Sequence, residues 1–247
     1  MDRTTAIQTA LSYNGGSTYL EIGVDAGHCF SRVSAQRKIG VDPQFAAGSM
    51  QRLIPGRLGR EVHCFQTTSD AFFAAHGQMF DRDRISVALV DGLHTYRQSL
   101  KDVENCLRHL DDDGIIVMHD CNPTRRLMAA PSESYEDYLR TYVRGWSALL
   151  ARNHAWTGDV WKTVVHLRSL RSDVQVAVLD CDRGVGLVRK AGPRDMLDYS
   201  PGDIDGLSYS DLEADRKALL NLKPPEYLET FLRGRRDHEG PPVRNVG

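Results

Sequence analysis

The stretch Tyr19-Leu-Glu-Ile-Gly-Val-Asp-Ala-Gly27 constrains this chain more than any other. Tyr19, Leu20 and Ile22 are β-prone, Glu21 is an acid among them, and two glycines four apart, Gly23 and Gly27, follow. Residues suited to a helix continue from His28 to Gln36. The pattern predicts a strand, a tight turn and a helix. Glycine lets such a turn take positive φ and lets a ligand approach bare backbone. The helix start offers free N–H groups. Nineteen residues after Gly23, a second apolar run, Lys38-Ile-Gly-Val-Asp42, ends in an acid. An acid at the tip of a second strand is placed to hold a ribose by two hydroxyls. Together these features predict the nucleoside-binding half of a doubly wound, Rossmann-like α/β domain.

The turn also narrows the ligand. The dinucleotide fingerprint G-x-G-x-x-G needs a middle glycine where a pyrophosphate comes close. This chain has Asp25 there. A carboxylate repels a pyrophosphate and tolerates a cationic sulfonium.

Further strands follow in order. Glu61–Gln66 reads as a third strand, and Thr67-Thr-Ser-Asp70 then leads into a helix capped by Ser69 or Asp70. Ile85–Asp91 is a near-continuous apolar run, the mark of a strand covered on both faces. Leu100, Val103, Leu107 and Leu110 recur at helical spacing. Asp111–Gly114 breaks that helix, and Ile115–Met118 forms a fifth strand that ends in His119-Asp120. The first, second, fourth and fifth strands thus carry acids at their tips (Glu21, Asp42, Asp91, Asp120), the edge at which open α/β sheets bind ligands. Val174–Leu179 and Val185–Arg189 read as a closing hairpin turned at Asp182-Arg-Gly184.

Three segments stand outside this alternation. Phe45–Leu58 reads as a partly helical connection. Residues 123–157, rich in Arg, Tyr and Trp, read as a loop plus a helix Tyr135–Leu150, a lid or acceptor-binding wall. From 191 to 247 a Pro/Gly-marked linker leads to two short helices, Tyr209–Leu222 and Pro225–Arg235. This helical tail is too short for a domain of its own, and it fits a homodimer. The main domain is therefore 1–190.

A net charge of −2 gives no strong pull toward nucleic acid or anionic membrane. No apolar run approaches the roughly 20 residues of a membrane span. Met1-Asp-Arg-Thr-Thr lacks the apolar core of a signal peptide, and five scattered cysteines without a C-x-x-C pair fit reduced thiols. The expectation is a cytoplasmic protein without a nucleic-acid or membrane partner.

Glu21-x-Gly23-x-x-x-Gly27 resembles the first motif of class I S-adenosylmethionine-dependent methyltransferases. Asp91-Gly92-x-His94-x-Tyr96, Asp102, Gly114, His119-Asp120 and Gly158-Asp-Val-Trp161-Lys162 resemble the macrocin-type branch of bacterial small-molecule O-methyltransferases. The resemblance covers about residues 17–190. It implies S-adenosyl-L-methionine held by Glu21, Gly23, Gly27, Asp42, Asp91 and Gly92, with Ser69 and Asp70 beside the adenine. It implies Mg²⁺ or another divalent cation at Asp91 and Asp120, and a small-molecule acceptor such as a sugar or natural product. Some relatives carry an acid at the position of Leu93, and some a second acid or an Asn beside Asp120. That leaves His94 and His119 as candidate bases, since imidazole titrates near neutral pH. Strand alternation favours His94, because His119 and Asp120 should point to opposite faces. Asp102 reads as a helix-surface or structural acid. The competing expectation is a noncatalytic nucleoside-binding partner in a biosynthetic assembly. An Asn/Asp-Pro-Pro-aromatic motif for DNA amino methylation is absent.

Overall fold

The β-branched and aliphatic runs pair into one sheet. The computed structural model describes residues 1–48, 61–143 and 156–234. Its strands are β1 (Thr18–Ile22), β2 (Arg37–Asp42), β3 (Glu61–Gln66), β4 (Ile85–Val90), β5 (Leu110–Met118), β6 (Val174–Leu179), β7 (Val185–Lys190) and β8 (Leu222–Lys223). Across the sheet they run β3-β2-β1-β4-β5-β7-β6-β8. β1 to β5 pair in parallel, and β7 is antiparallel to both β5 and β6. This is the doubly wound α/β sheet with an antiparallel closing hairpin that the strand pattern predicts.

Alternation along each strand feeds two cores. Tyr19, Ile115 and Val117 face a layer built by Ala6, Ile7, Ala10 and Leu11 of the helix Arg3–Asn14. Leu20, Ile22, Ile116 and Met118 face the opposite layer, built by Leu100, Val103 and Leu107 of the helix Tyr96–His109 and by Trp161 and Val164 of Trp161–Leu170. Each such fully buried aliphatic side chain contributes about 1.5–3 kcal/mol. β4 is buried along its whole length, which explains why it reads as an unbroken apolar run.

Several boundaries differ from the sequence reading. The cap of the helix Ser69–His76 is Thr68, whose Oγ1 accepts from Ala71 N, so neither Ser69 nor Asp70 caps it. The helix ends at His109, ahead of the acidic run 111–113, and β5 begins at Leu110 rather than Ile115, so that run forms its exposed start. Pro201 and Gly202 open a further short helix, Pro201–Gly206, where a linker is expected. Ser200 and Asp203 form its capping box, and proline is tolerated at a first helical position. The tail helices are Tyr209–Leu220 and Tyr227–Arg233. Leu222–Lys223 joins the sheet beside β6, while Leu228, Phe231 and Leu232 pack on the layer of the N-terminal helix. The tail is thus anchored to both a sheet edge and a core. The helix expected from Tyr135 is present over Tyr135–Tyr142; its remainder and most of the 45–58 connection lie outside the described residues.

β1 and β4 are neighbours from which the chain departs in opposite directions, and this reversal opens a crevice at their C-terminal ends. Gly23 sits there with φ of 87°, and a Cβ on it would lie 2.1 Å from the Asp91 carbonyl oxygen. Gly23→Ala is therefore expected to cost at least about 3 kcal/mol. Gly206→Ala, where a Cβ meets nothing within 4 Å, should leave stability unchanged or slightly raised. Urea unfolding of the two variants checks the contrast; equal stabilities would show that the loops after β1 and β4 can part freely.

Candidate active site

The parallel ladder continues one residue beyond the strand ends. Gly23 N donates to the Val41 carbonyl (2.9 Å), Asp91 N to the Ile22 carbonyl (2.9 Å) and His119 N to the Val90 carbonyl (3.1 Å). This fixes the tips of β2, β1, β4 and β5 at one level. Above them lies a cavity of about 670 Å³. Glu21, Gly23, Asp42, Ser69, Asp70, Asp91, Gly92, His94, His119 and Asp120 all line it. Gly27 does not line it; with φ of 76° it turns the chain into the helix His28–Arg32, while its neighbours Ala26 and His28 reach the cavity.

One end suits a nucleoside. Asp42 Oδ2 accepts from Asp25 N (2.8 Å) and Oδ1 from Gln44 N (2.7 Å). Two backbone donors fix the carboxylate and leave acceptor capacity on each oxygen for vicinal hydroxyls. Next to it, Gln98 Nε2 donates to Ser69 Oγ (3.2 Å) and Asp102 Oδ1 (3.0 Å). Asp102 is not a surface acid: it is buried, lines the cavity, and burial lifts its carboxyl to about 6. Glu21 is 1% exposed; burial raises its carboxyl to about 8, against the opposing hydrogen bond from Tyr19. A buried acid of this kind ionises beside a cation. Seven acidic residues line the cavity against Arg3, Arg183 and the His119 ring, an excess of acids that suits a positively charged ligand.

The other end gathers the histidines. His94 Nδ1 donates to the Trp156 carbonyl (2.8 Å), so in the neutral ring Nε2 bears the lone pair. Nε2 lies 3.5 Å from Asp91 Oδ1 and 3.5 Å from Asp120 Oδ2. Burial disfavours the imidazolium, but the Asp91 hydrogen bond and the Asp120 charge outweigh it and raise the His94 pKa. Gly158, with φ of 57°, passes so close that a Cβ would lie 1.7 Å from the His94 carbonyl oxygen. Trp156 also stacks on Tyr138 with ring centroids 5.7 Å apart. The segment 123–157 thus holds His94 from behind. Among its described residues none lines the cavity, so the acceptor wall expected there is not seen in them.

His119 and Asp120 do not point to opposite faces. Strand β5 ends at Met118 and Asp120 takes φ of 60°, so the two side chains meet, His119 Nδ1 lying 3.3 Å from Asp120 Oδ1. His119 is 2% exposed. Its Nδ1 donates to Asp91 Oδ1 (3.1 Å), and its Nε2 lies 3.1 Å from Arg3 Nη1 and 3.4 Å from Asp182 Oδ2. Burial opposes the ring's charge, yet Asp91, Asp182 and Asp120 lift its pKa to about 9. A protonated ring has no lone pair, and a neutral one gives its Nε2 lone pair to Arg3. In neither state does His119 offer a base to a substrate.

Three residues here escaped the sequence reading. Arg3 Nε lies 3.3 Å from Asp91 Oδ2, and Arg3 also donates to Asp182 (3.0 and 3.2 Å). Arg183 Nε donates to Asp120 Oδ1 (2.7 Å). Burial works against the Asp91 and Asp182 carboxylates, but the surrounding donors hold both well below the usual carboxylate range. A signal for Asp182 and Arg183 existed: β7 is antiparallel to β5, so the turn before it must lie at the tip edge. Nothing local marks Arg3.

Residues 20–121, from β1 to just past β5, match a family model described as a methyltransferase domain. No curated protein matches the chain in sequence. Among solved structures, the chain resembles the methyltransferase PaMTH1 of Podospora anserina bound to SAH, with 16% identity, 76% of this chain and 78% of that chain covered, and a TM-score of 0.53. It also resembles the plantazolicin methyltransferase BpumL in complex with a pentazolic desmethylPZN analog and SAH (11% identity, 76% and 84% covered, TM-score 0.46). A third is the N-methyltransferase NodS of Bradyrhizobium japonicum (14% identity, 77% and 94% covered, TM-score 0.40). The matched segment holds β1 to β5, whose tips line the cavity, and the likeness to PaMTH1 is one of fold.

Proposed function

We propose that this chain methylates a hydroxyl of a small molecule, a sugar or natural product of the kind its macrocin-type resemblance implies, with His94 as the general base. The observation that carries the reading is the orientation of His94. The Trp156 carbonyl accepts a hydrogen bond from Nδ1–H, so Nε2 faces the cavity wall shared with Asp91 and Asp120.

S-adenosylmethionine, when bound, supplies a methyl group already activated on a cationic sulfur. The chain's task is to hold it, align the acceptor and receive one proton. Asp42 would accept from the ribose hydroxyls, with Ser69 and Asp70 at the base-binding end. Glu21 and Gly23 would face the amino-acid portion, where no Cβ crowds the backbone. As the methyl–sulfur bond breaks, its electron pair staying on sulfur to leave S-adenosylhomocysteine, and the methyl carbon bonds to the acceptor oxygen, the hydroxyl proton would pass to His94 Nε2, and Asp91 and Asp120 would stabilise the resulting imidazolium. The open cavity beside these three residues supports catalysis over a noncatalytic binding role. Proton transfer to His94 needs no divalent cation, and Asp91 and Asp120 already face Arg3, His119 and Arg183.

Asp42→Ala is expected to weaken S-adenosylhomocysteine binding about tenfold or more, since a hydrogen bond to a charged group contributes about 1.5–3 kcal/mol. Titration calorimetry reads this directly; unchanged affinity would remove Asp42 from the site, and tight NAD binding would sink the reading. For the base, His94→Ala should lower kcat by about 10²–10⁴ with cofactor affinity kept. The neutral ring is the active form and its pKa is raised, so wild-type activity should climb with pH through a value above about 6.5. A screen of hydroxylated acceptors with methyl-labelled cofactor supplies the assay. A His94→Ala variant of normal kcat and unchanged pH profile would end the assignment.

A further inference from the structure

The cluster at the β4 and β5 tips has donors for a divalent cation but lacks the free charge to hold one. One ligand atom each of Asp91, His94 and Asp120 lies within 4.8 Å of the others, a spacing that three ligands of one ion can take. Mg²⁺ dehydrates reluctantly and depends on carboxylates whose charge is available to it. Here that charge is spent within the protein. Asp91 faces the Arg3 guanidinium through Oδ2 (3.3 Å) and receives the His119 Nδ1 proton at Oδ1 (3.1 Å). Asp120, 2% exposed, takes the Arg183 Nε–H at 2.7 Å. The third acid, Asp182, binds Arg3 as well (3.2 Å). Each carboxylate that an ion would need therefore has a fixed cationic or N–H partner of the chain's own.

Arg3 is half-buried, and Arg183, though exposed, is anchored through its backbone. Arg3 belongs to the helix Arg3–Asn14, which packs on the sheet through Ala6, Ile7, Ala10 and Leu11. Arg183 sits in the tight turn between β6 and β7 with φ of 60°, and the carbonyls of Arg183 and Gly184 accept from Asn122 N (2.8 Å) and Cys121 N (3.1 Å). An entering dication would lose its water and then compete with guanidiniums held by two separate elements. Taking the buried Asp120 carboxylate from its partner is costly.

We propose that this protein works without a divalent cation, Arg3 and Arg183 filling the electrostatic place that an ion takes beside Asp91 and Asp120. This rests on reading the cavity as a methyltransferase site, and the two can fail separately. The experiment uses the full chain saturated with S-adenosylhomocysteine, Mn²⁺ as a paramagnetic probe and Mg²⁺ in calorimetry. The free Mn²⁺ signal should stay undiminished, and millimolar Mg²⁺ should give no binding heat. Arg3→Met with Arg183→Met exposes the acids, and this double variant should bind Mn²⁺ at least about tenfold more tightly than the wild type. If that pair does not fold, Arg183→Met alone should move in the same direction. Submillimolar binding of either ion to the wild type, weakened by Asp91→Asn and by Asp120→Asn, overturns the proposal. So does a folded arginine variant with no gain in Mn²⁺ affinity. Failure of the wild type to bind S-adenosylhomocysteine strikes the methyltransferase reading instead.

Discussion

Three backbone hydrogen bonds beyond the strand ends hold the site together: Gly23 N to Val41 O, Asp91 N to Ile22 O, and His119 N to Val90 O. A parallel sheet twists, and its loops diverge as soon as pairing stops. Prolonging the ladder by one residue keeps four tips level, so the acids at Glu21, Asp42, Asp91 and Asp120 share one cavity. The close approach of Gly23 to the Asp91 carbonyl depends on this, and so does the narrowness of the crevice between β1 and β4. The rest of the fold protects that edge. Helices cover both faces, the hairpin β6–β7 closes one side, and the tail adds β8 beyond it.

The cavity is a case of like charges made tolerable by unlike means. At the end beside β2, Asp42 is held by backbone N–H groups and Glu21 by burial and the Tyr19 hydroxyl. At the other end, Asp91, Asp120 and Asp182 are held by guanidiniums and imidazoles. The first arrangement leaves acceptors open to a cationic ligand. The second is closed upon itself and leaves His94 Nε2 as the group that faces it. Electrostatics thus divides one pocket into a half with open acceptors and a half whose charges are paired among themselves.

Much of this was legible without coordinates because it is local. An acid at a strand tip, a glycine at a tight turn and a helix stripe each depend on a few neighbouring residues, and all three recur here as read. The failures have equally specific causes. Alternation predicts opposite directions for His119 and Asp120, but the strand stops at Met118 and a left-handed residue follows. Asp102 lies on a helix whose face toward the cavity is set by packing, not by the helix's own sequence. Pro201 reads as a breaker, yet with Ser200 before it the same residue starts a helix.

The sequence by itself determined the sheet, the glycine turn after β1 and the acids at four strand tips, because strand period and turn chemistry act over a few residues. The tertiary structure alone decided which of those acids remain open. Arg3 meets Asp182 across 179 residues of chain, and Arg183 meets Asp120 across 63. Such meetings depend on where the N-terminal helix and the hairpin dock on the sheet. No local pattern records that docking, and it is what separates a carboxylate available to a ligand from one already spent on its neighbours.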